Sequence, residues 1–313
     1  MQNKILITGC TGFVGSFLIN KLKRRFKLKL LIRKKHSFFQ YKDPKNIEVI
    51  YYDSLTQKHG WANILKDCKI VIHLAGIAHL NDNNNFKLQQ NIFKTNYYGT
   101  LNLFKKSIKF KIKKFIYLSS IGVNGEESNG KFTEKSIVNP TNFYAKSKLK
   151  AEDKIKILSK KKIIKYTIIR PPLIYGLNAP GNFNYLIVLI KKFRFFPFAS
   201  LNNKKSFIGI HNVISFIEMC VISRVSDNKT FLISDNETVS LPELIKKISK
   251  LLNIKVFLFK FPVFLLKLFF ILIRKKKYFD KISSQLIIDN TYSKKIMKWK
   301  PISLDRQLKY TFK

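Results

Sequence analysis

The sequence predicts an α/β fold: a doubly wound parallel sheet with helices on both faces, and a smaller C-terminal lobe. Three observations lead there. Short runs of β-branched and aromatic residues alternate with helical patterns as far as Arg170. Runs such as KILIT and KIVIHLA are apolar throughout, as strands covered on both faces must be. A glycine-spaced turn, ITGCTGFVG, joins the first run to the first helical pattern.

Taken in order, KILIT (4–8), LKLLIR (28–33), IEVIYY (47–52), KIVIHLA (69–75), FIYLSS (115–120) and IIKYTIIR (163–170) read as strands. FVGSFLINKLKRR has helical periodicity. After Arg170 the rhythm changes, and PPLIYGLNAPGNF is a loop by its Pro, Gly and Asn. A helix at 182–193, a hairpin-like piece at 195–210, a helix at 212–223 and a strand in KTFLISD follow. SLPELIKKISKLL starts with Ser, has Pro in the first turn and Glu three residues after the Ser, a capping-box start. Residues 1–171, with 211–236 returning, are expected to form the sheet domain. Residues 172–210 and 237–313 are expected to form the lobe over its carboxyl edge, with no internal repeat and no flexible linker.

Composition narrows the function classes. Hydrophobic residues at 46% and aromatics at 14% exclude a disordered chain. Sixty basic residues face 18 acidic ones, for a formal charge of +42. Only eight of the 60 are arginine, and the lysines run through every segment. A dedicated polyanion site would gather them on one face and favour arginine's two-pronged phosphate contacts. The charge therefore reads as a drift toward lysine on solvated faces, with no specific nucleic acid as partner. Cys10, Cys68 and Cys220 have no metal-type spacing and read as reduced thiols. MQNKILITG is a strand entering a turn and not a signal peptide, so the expected location is cytoplasmic. The greasiest stretch, 254–273, is broken by Lys255, Lys260 and Lys267, which excludes a membrane span. The piece from Pro262 to Ile273 is expected in the core or a subunit contact, with a homodimer open and a helix lying on a membrane as the alternative.

In the turn, Gly9, Gly12 and Gly15 are spaced G-x-x-G-x-x-G and open a helix directly after a strand. The first permits a tight turn, the second lets the backbone approach a diphosphate, and the third lets helix and strand pack closely. The helix start adds free N–H groups and a positive dipole end, so a Rossmann-type dinucleotide site is expected. At the end of the second strand, an acid would bind an adenosine ribose 2′-hydroxyl, whereas an arginine accommodates a 2′-phosphate. The chain has Arg33-Lys34-Lys35 there, which favours NADP(H) over NAD(H).

Tyr144 and Lys148 in NFYAKSK stand four apart, one helical turn. With 13 tyrosines and 52 lysines that spacing arises about twice by chance, and it does occur twice. The other pair, Tyr41 with Lys45, contains Pro44 and is not a helix. The surroundings therefore decide. With the glycine turn, VIHLAG (71–76), TNYYGT (95–100), YLSSIGVNGE (117–126), YAKSK (144–148) and RPPLIYG (170–176), the chain resembles the NAD-dependent epimerase/dehydratase family of extended short-chain dehydrogenases/reductases. SSIGVNGE, RPPLIYG, KSFIGIHN and WKPISLD are most similar to bacterial enzymes that reduce the C4 ketone of UDP-4-keto-6-deoxy-N-acetylhexosamines for surface polysaccharide.

That resemblance implies a catalytic Ser120, Tyr144 and Lys148. Hydride added to a carbonyl carbon leaves an oxyanion that needs a proton. An ammonium beside tyrosine is expected to bring its pKa, ordinarily about 10, toward working pH. The resemblance places Thr11, Phe13, Val14, Leu74, Ala75, Gly76, Asn96 and Pro171 around the cofactor with the three glycines, and Asp53 by the adenine. His79, Glu126, Asn182 and Lys205 fall toward the UDP-sugar, Lys205 where relatives often have an arginine. The implied activity is NADPH-dependent 4-ketoreduction. The alternatives are a 4-epimerase that retains NAD and a non-catalytic dinucleotide sensor.

Overall fold

The computed structural model describes residues 4–34, 45–78, 86–160 and 164–312. Seven strands form one sheet: β1 (Lys4–Thr8), β2 (Leu28–Arg33), β3 (Ile47–Tyr52), β4 (Cys68–His73), β5 (Lys114–Leu118), β6 (Lys165–Arg170) and β7 (Lys229–Leu232). Their order is β7-β6-β5-β4-β1-β2-β3, and every neighbouring pair is parallel. The chain leaves β1 in one direction and starts again from β4 in the other. Such a reversal opens a crevice at the carboxyl ends of the strands, where open α/β sheets bind ligands.

The apolar runs are explained by burial on both faces. Ile5 and Ile7 point into a cluster with Leu18, Ile19 and Leu22 of α1 (Phe13–Leu22) and with Val213, Phe216 and Ile217. Leu6, between them, points the other way, into a cluster with Trp61, Leu103, Phe104, Ala151 and Ile155. The period of two along a strand thus feeds two separate cores. A third cluster, with Tyr175, Phe183, Leu244, Ile248 and Leu304, holds the smaller C-terminal region together. The helix Leu241–Leu251 there starts with the capping box, Ser240 and Glu243 each bonding the other's backbone N–H.

Two expectations need correction. The piece at 195–210 is not a hairpin. Phe195–Phe196 pairs with Phe257–Leu258, Lys204–Ser206 with Thr238–Ser240, and Ile208–Gly209 with Ile174–Tyr175. The segment has no tight-turn pair between matched runs, and Pro197 has no N–H for a ladder, so each fragment pairs with a distant segment. Nor is 262–273 a core helix. It folds as α6 (Val263–Leu272), of which Leu266 alone is buried. The helix joins α7 (Lys276–Ser283) through Phe270 and Phe279, ring centroids 5.8 Å apart, and leaves the rest of its surface in solvent.

Candidate functional site

Because the seven strands are parallel, their carboxyl ends share one edge. The residues singled out in the sequence follow those ends: Gly9 after β1, Arg33 at the end of β2, Asp53 after β3, Leu74 to Gly76 after β4, Ser120 after β5 and Pro171 after β6. Both β4 and β5 stop two residues short of the apolar runs; Leu74 and Ser119 still donate their N–H groups to Thr8 and Ile169 of the neighbouring strands, and Ala75 and Ser120 follow beyond the ladder.

The glycine turn shows why no side chain is tolerated there. Gly9 has φ +75, and a Cβ on it would stand 2.6 Å from the Ala75 nitrogen. A Cβ on Gly15 would stand 2.2 Å from the Gly9 carbonyl oxygen. Gly12 caps α1 without offering a side-chain acceptor, so the first amides of that helix remain available to an anion. A Cβ on Gly12 would meet only the Gly9 oxygen, at 3.3 Å, and would reach into the space before the helix. This cradle fits a dinucleotide's diphosphate. Thr11 is exposed at its tip, with Phe13 and Val14 half-buried behind it. Cys10 is packed beneath, its thiol donating to the Ile7 carbonyl at 2.9 Å and pushed up to about 12 by burial. It is a filler of the turn and not a nucleophile.

At the end of β2, Arg33 is exposed and in register with Tyr52 of β3. Lys34 bonds the Asp53 carboxylate at 3.1 Å, so the nearest acid at this edge already has a cation on it. Lys35 and His79 lie outside the described residues.

Ser120 caps the short turn Ile121–Val123, its Oγ accepting from Gly122 N–H at 3.1 Å. Helix α3 (Phe143–Lys160) begins one residue before Tyr144, so Tyr144 and Lys148 share a face near its start. Asn142 fixes that start by accepting the Ala145 N–H at 2.8 Å. The Lys148 ammonium donates to the Leu118 carbonyl at 2.9 Å and stands 5.8 Å from the Tyr144 ring centroid. Gly76 closes on it: a Cβ there would be 3.2 Å from both Lys148 Nζ and Asn96 Oδ1. Asn96, fully buried in a π-helical stretch (Phe93–Gly99), clamps the Ile77 backbone with both ends of its amide, at 2.8 and 3.1 Å. The loop after β4, the loop after β5 and the start of α3 thus meet at one point.

Electrostatics there differ from the expectation. Burial pushes the Tyr144 phenol up to about 12, with a hydrogen bond to Ser120 opposing it. Burial also pulls the Lys148 ammonium down to about 8, with the Glu152 carboxylate opposing it. Within the polypeptide, desolvation therefore outweighs any help the lysine gives the phenol, with Lys148 buried and Tyr144 half-buried.

Several residues of the site were not singled out in the sequence. His73, at the end of β4, bonds Thr8 through Nδ1 at 2.6 Å and Thr100 through Nε2 at 2.7 Å. Burial pulls it down to about 3, so it stays neutral and ties the first strand to the helix behind the site. Glu152, fully buried, accepts from Ser119 and from both Nε and Nη2 of Arg170, whose Nη1 reaches Asn124 at 2.9 Å. A signal existed: Glu152 stands four after Lys148 in a chain with few acids, so it continues the same helical face. His73 carried no such signal, since its partners lie 65 and 27 residues away.

Glu126 and Asn124 line a cavity of about 520 Å³. Asn142 donates to Glu126, which ties that cavity to the start of α3. Lys205 donates to Ser284 Oγ at 2.9 Å and to the Lys281 carbonyl, and burial pulls it down to about 8 against Glu127 and Glu126. Asn182 stands exposed at the first position of the helix Asn182–Lys192.

Residues 5–215 match the NAD dependent epimerase/dehydratase family, and the chain belongs to it. It is an enzyme of the dinucleotide-dependent class that acts on nucleotide sugars, which sets the non-catalytic sensor aside. A UDP-glucose 4-epimerase of Vibrio cholerae is 31% identical over 306 residues, covering 96% of this chain and 92% of the relative. An Escherichia coli O157:H7 protein, N-acetyl-α-D-glucosaminyl-diphospho-ditrans,octacis-undecaprenol 4-epimerase, is 25% identical over 82% of this chain and 74% of its own length. Among solved structures, UDP-glucose 4-epimerase of Thermotoga maritima with UDP-glucose superposes with TM-score 0.79 at 22% identity, over 99% of this chain and 97% of that one. No helix among the described residues is long and apolar enough to cross a membrane.

Proposed function

We propose that the chain is a 4-epimerase of a hexose or N-acetylhexosamine carried on a diphosphate, with UDP-sugars as the first substrates to test. The observation that carries this reading is the meeting of Ser120, Tyr144 and Lys148 at the carboxyl edge, beside the glycine cradle. The names of the relatives support inversion at C4 over the net reduction that the sequence wording suggested. One of them carries its sugar on undecaprenol diphosphate, so the chemistry shared with UDP-sugars is a sugar on a diphosphate.

Gly9, Thr11, Gly12, Phe13, Val14 and Gly15 hold the dinucleotide's diphosphate, Arg33 and Asp53 face its adenosine, and Leu74, Ala75, Gly76, Asn96 and Pro171 wall the nicotinamide side. When bound, the dinucleotide supplies a reversible hydride acceptor for C4 of the sugar. Ser120 Oγ orients the sugar's O4. Tyr144 takes the O4 proton as the C4–H leaves as hydride and gives it back when hydride returns to the opposite face. The Lys148 charge, one helical turn away, stabilises the phenolate at that moment. The lobe of 172–210 and 237–313 holds the nucleotide sugar, with Asn182, Lys205, Glu126 and His79 on its side. Lysine at 205 keeps the charge for a diphosphate without the planar fork of arginine.

One observation favours a second reading, an NADPH-dependent 4-ketoreductase. Among the described residues, the end of β2 offers Arg33 and no acid except Asp53, which Lys34 bonds. The two readings separate in a single assay. On the first, purified enzyme with UDP-N-acetylglucosamine and no added cofactor yields the galacto epimer by NMR, and the same inversion is sought with a polyprenyl-diphosphate N-acetylglucosamine. No inversion, together with stoichiometric NADPH oxidation by a UDP-4-keto-6-deoxy-N-acetylhexosamine, would overturn it. In that case Arg33→Asp should lower the preference for NADPH over NADH by roughly tenfold or more, as loss of a charge-assisted contact does.

A further inference from the structure

We propose that α6 and the turn into α7 dock this protein on an anionic lipid surface. Helix α6 is apolar on every side except at Lys267, yet Phe264 is 70% exposed, Phe269 54% and Leu272 73%. A helix apolar all round belongs in a core or in lipid. Ten residues rise about 15 Å, half the hydrocarbon thickness of a bilayer, so α6 can lie in the surface layer and cannot cross it. The apolar surface continues along the chain into the strand before α6, where Phe257 is 60% exposed and Phe259 44%.

The hairpin is built and not a loose tail. Leu266 and Phe279 are buried. Helix α6 closes with two bonds typical of a glycine cap, Lys275 N–H to Phe270 at 2.7 Å and Arg274 N–H to Ile271 at 2.9 Å. The residue in the left-handed conformation there is Arg274, φ 56, where glycine is usual. It opens the run Arg274-Lys275-Lys276-Lys277, all exposed.

Charge identifies what covers this face. No acidic residue stands between Glu243 and Asp280, while Lys255, Lys260, Lys267 and the four of the turn are basic. A second copy packed face to face would bring these cations together with Asp280 as the one acid of the hairpin to offset them. A bilayer with anionic headgroups accepts both features, the aromatic and aliphatic side chains below the headgroups and the lysines among them. Lys267 has a stem long enough to reach the headgroups from the apolar face, and Tyr278, 52% exposed, stands at the level where tyrosine is enriched. The far end of α7 holds Lys205, through Lys281 and Ser284, and Asn203 donates to Ile282 and Ser284, each at 2.8 Å. The docking hairpin is thereby anchored to the Lys204–Ser206 strand of the lobe. The inference stands whether the enzyme inverts or reduces C4.

The test is co-sedimentation of the full chain with phosphatidylglycerol-containing vesicles and with pure phosphatidylcholine vesicles. Binding to the anionic vesicles is expected, weakened by salt. It should drop by at least about tenfold in the triple variant Lys275→Glu, Lys276→Glu, Lys277→Glu, since each lysine near such a surface adds to the attraction. The apolar variant Phe264→Ser, Leu268→Ser, Leu272→Ser should lose binding while dinucleotide binding is unchanged. On the unaltered chain, amide exchange across 263–278 should slow on adding anionic vesicles, a readout that needs no variant. No binding, equal binding to both lipids, or unchanged exchange would overturn the proposal. So would a fall in solution mass in the apolar variant with vesicle binding intact, which would assign the face to a second copy.

Discussion

The edge of the sheet and the α6–α7 hairpin invert the ordinary distribution of side chains in opposite senses. At the edge, Lys148 is 3% exposed and Glu152 not at all. On the hairpin, phenylalanines and leucines stand in water beside a run of cations. Exposed single apolar residues are unremarkable, but buried charges and a contiguous apolar face both signal that stability has been given up for something else. At the edge the buried charges have partners, Glu152 in Arg170 and Ser119, and Lys148 in the Leu118 carbonyl, which offsets only part of its desolvation. On the hairpin nothing within the described residues compensates. One region is complete in itself, and the other is complete only against a partner surface.

The comparison can be broken most directly at Tyr144. If the edge exists for proton transfer, Tyr144→Phe lowers turnover by about 10²- to 10⁴-fold while dinucleotide affinity, followed by fluorescence titration, stays within twofold or so. Near-normal turnover would end the argument for this edge as the site.

Glu152 tests whether the edge is internally compensated. Glu152→Ala leaves Arg170 buried without its carboxylate and should destabilise the fold by about 3–5 kcal/mol in urea titrations. A change well under 1 kcal/mol would mean that Arg170 finds other partners.

Lys148 sharpens the stability side. Its folded-state pKa, about 8, lies below the ordinary 10.5, so the unfolded chain holds more protons between those values. Stability should therefore rise with pH across that window and be held down below it. Lys148→Met removes the penalty: it should abolish turnover yet raise stability at pH 7 by up to about 3 kcal/mol, the gain fading toward pH 10.5. A large loss of stability at pH 7 would show that the bond to Leu118 matters more than desolvation.

His73 gives a smaller effect with the same sign. Held down to about 3 from 6.5, it leaves the unfolded chain with more protons between those values, so stability falls as pH drops below 6.5. His73→Gln should flatten that acid limb between pH 6.5 and 5 in thermal melts, at a loss of about 1 kcal/mol at neutral pH. An unchanged limb would assign it to other groups. Smallest of all, the dispersed lysines should give only weak, sequence-independent DNA binding that moderate salt removes in a filter assay. Tight binding at physiological salt would mean that the charge is organised after all.

Much of the edge was legible. The six sheet strands before residue 171 appear within two residues of where the β-branched and aromatic runs placed them, because a strand buried on both faces needs apolar residues along its length, although the edge strand β3 is only half-buried. The glycine turn was legible because close backbone approaches at Gly9 and Gly15 admit no Cβ, a requirement local enough to leave a spacing in the chain. Tyr144 and Lys148 were legible as a register on one helix, and the capping box of Leu241–Leu251 as a pattern within four residues. All of these are short-range.

What tertiary structure alone decided is of two kinds. The first is long-range pairing: the partners of the fragments in 195–210, the clamp of His73 between Thr8 and Thr100, and the junction of Gly76, Asn96 and Lys148 all join segments far apart in sequence. The second is the sign of an environment. Sequence proximity implied that Lys148 would ease the ionisation of Tyr144, but desolvation of the half-buried phenol in the packed chain pushes it up instead. The same limit applies to α6. Composition marks VFLLKLFFIL as apolar and cannot say whether the fold has a place for it, since burial depends on what other segments happen to cover. By itself the sequence determined the sheet, the cradle and the Tyr144–Lys148 register, and only the packed chain decided which charges lie inside and which apolar helix is left in the open.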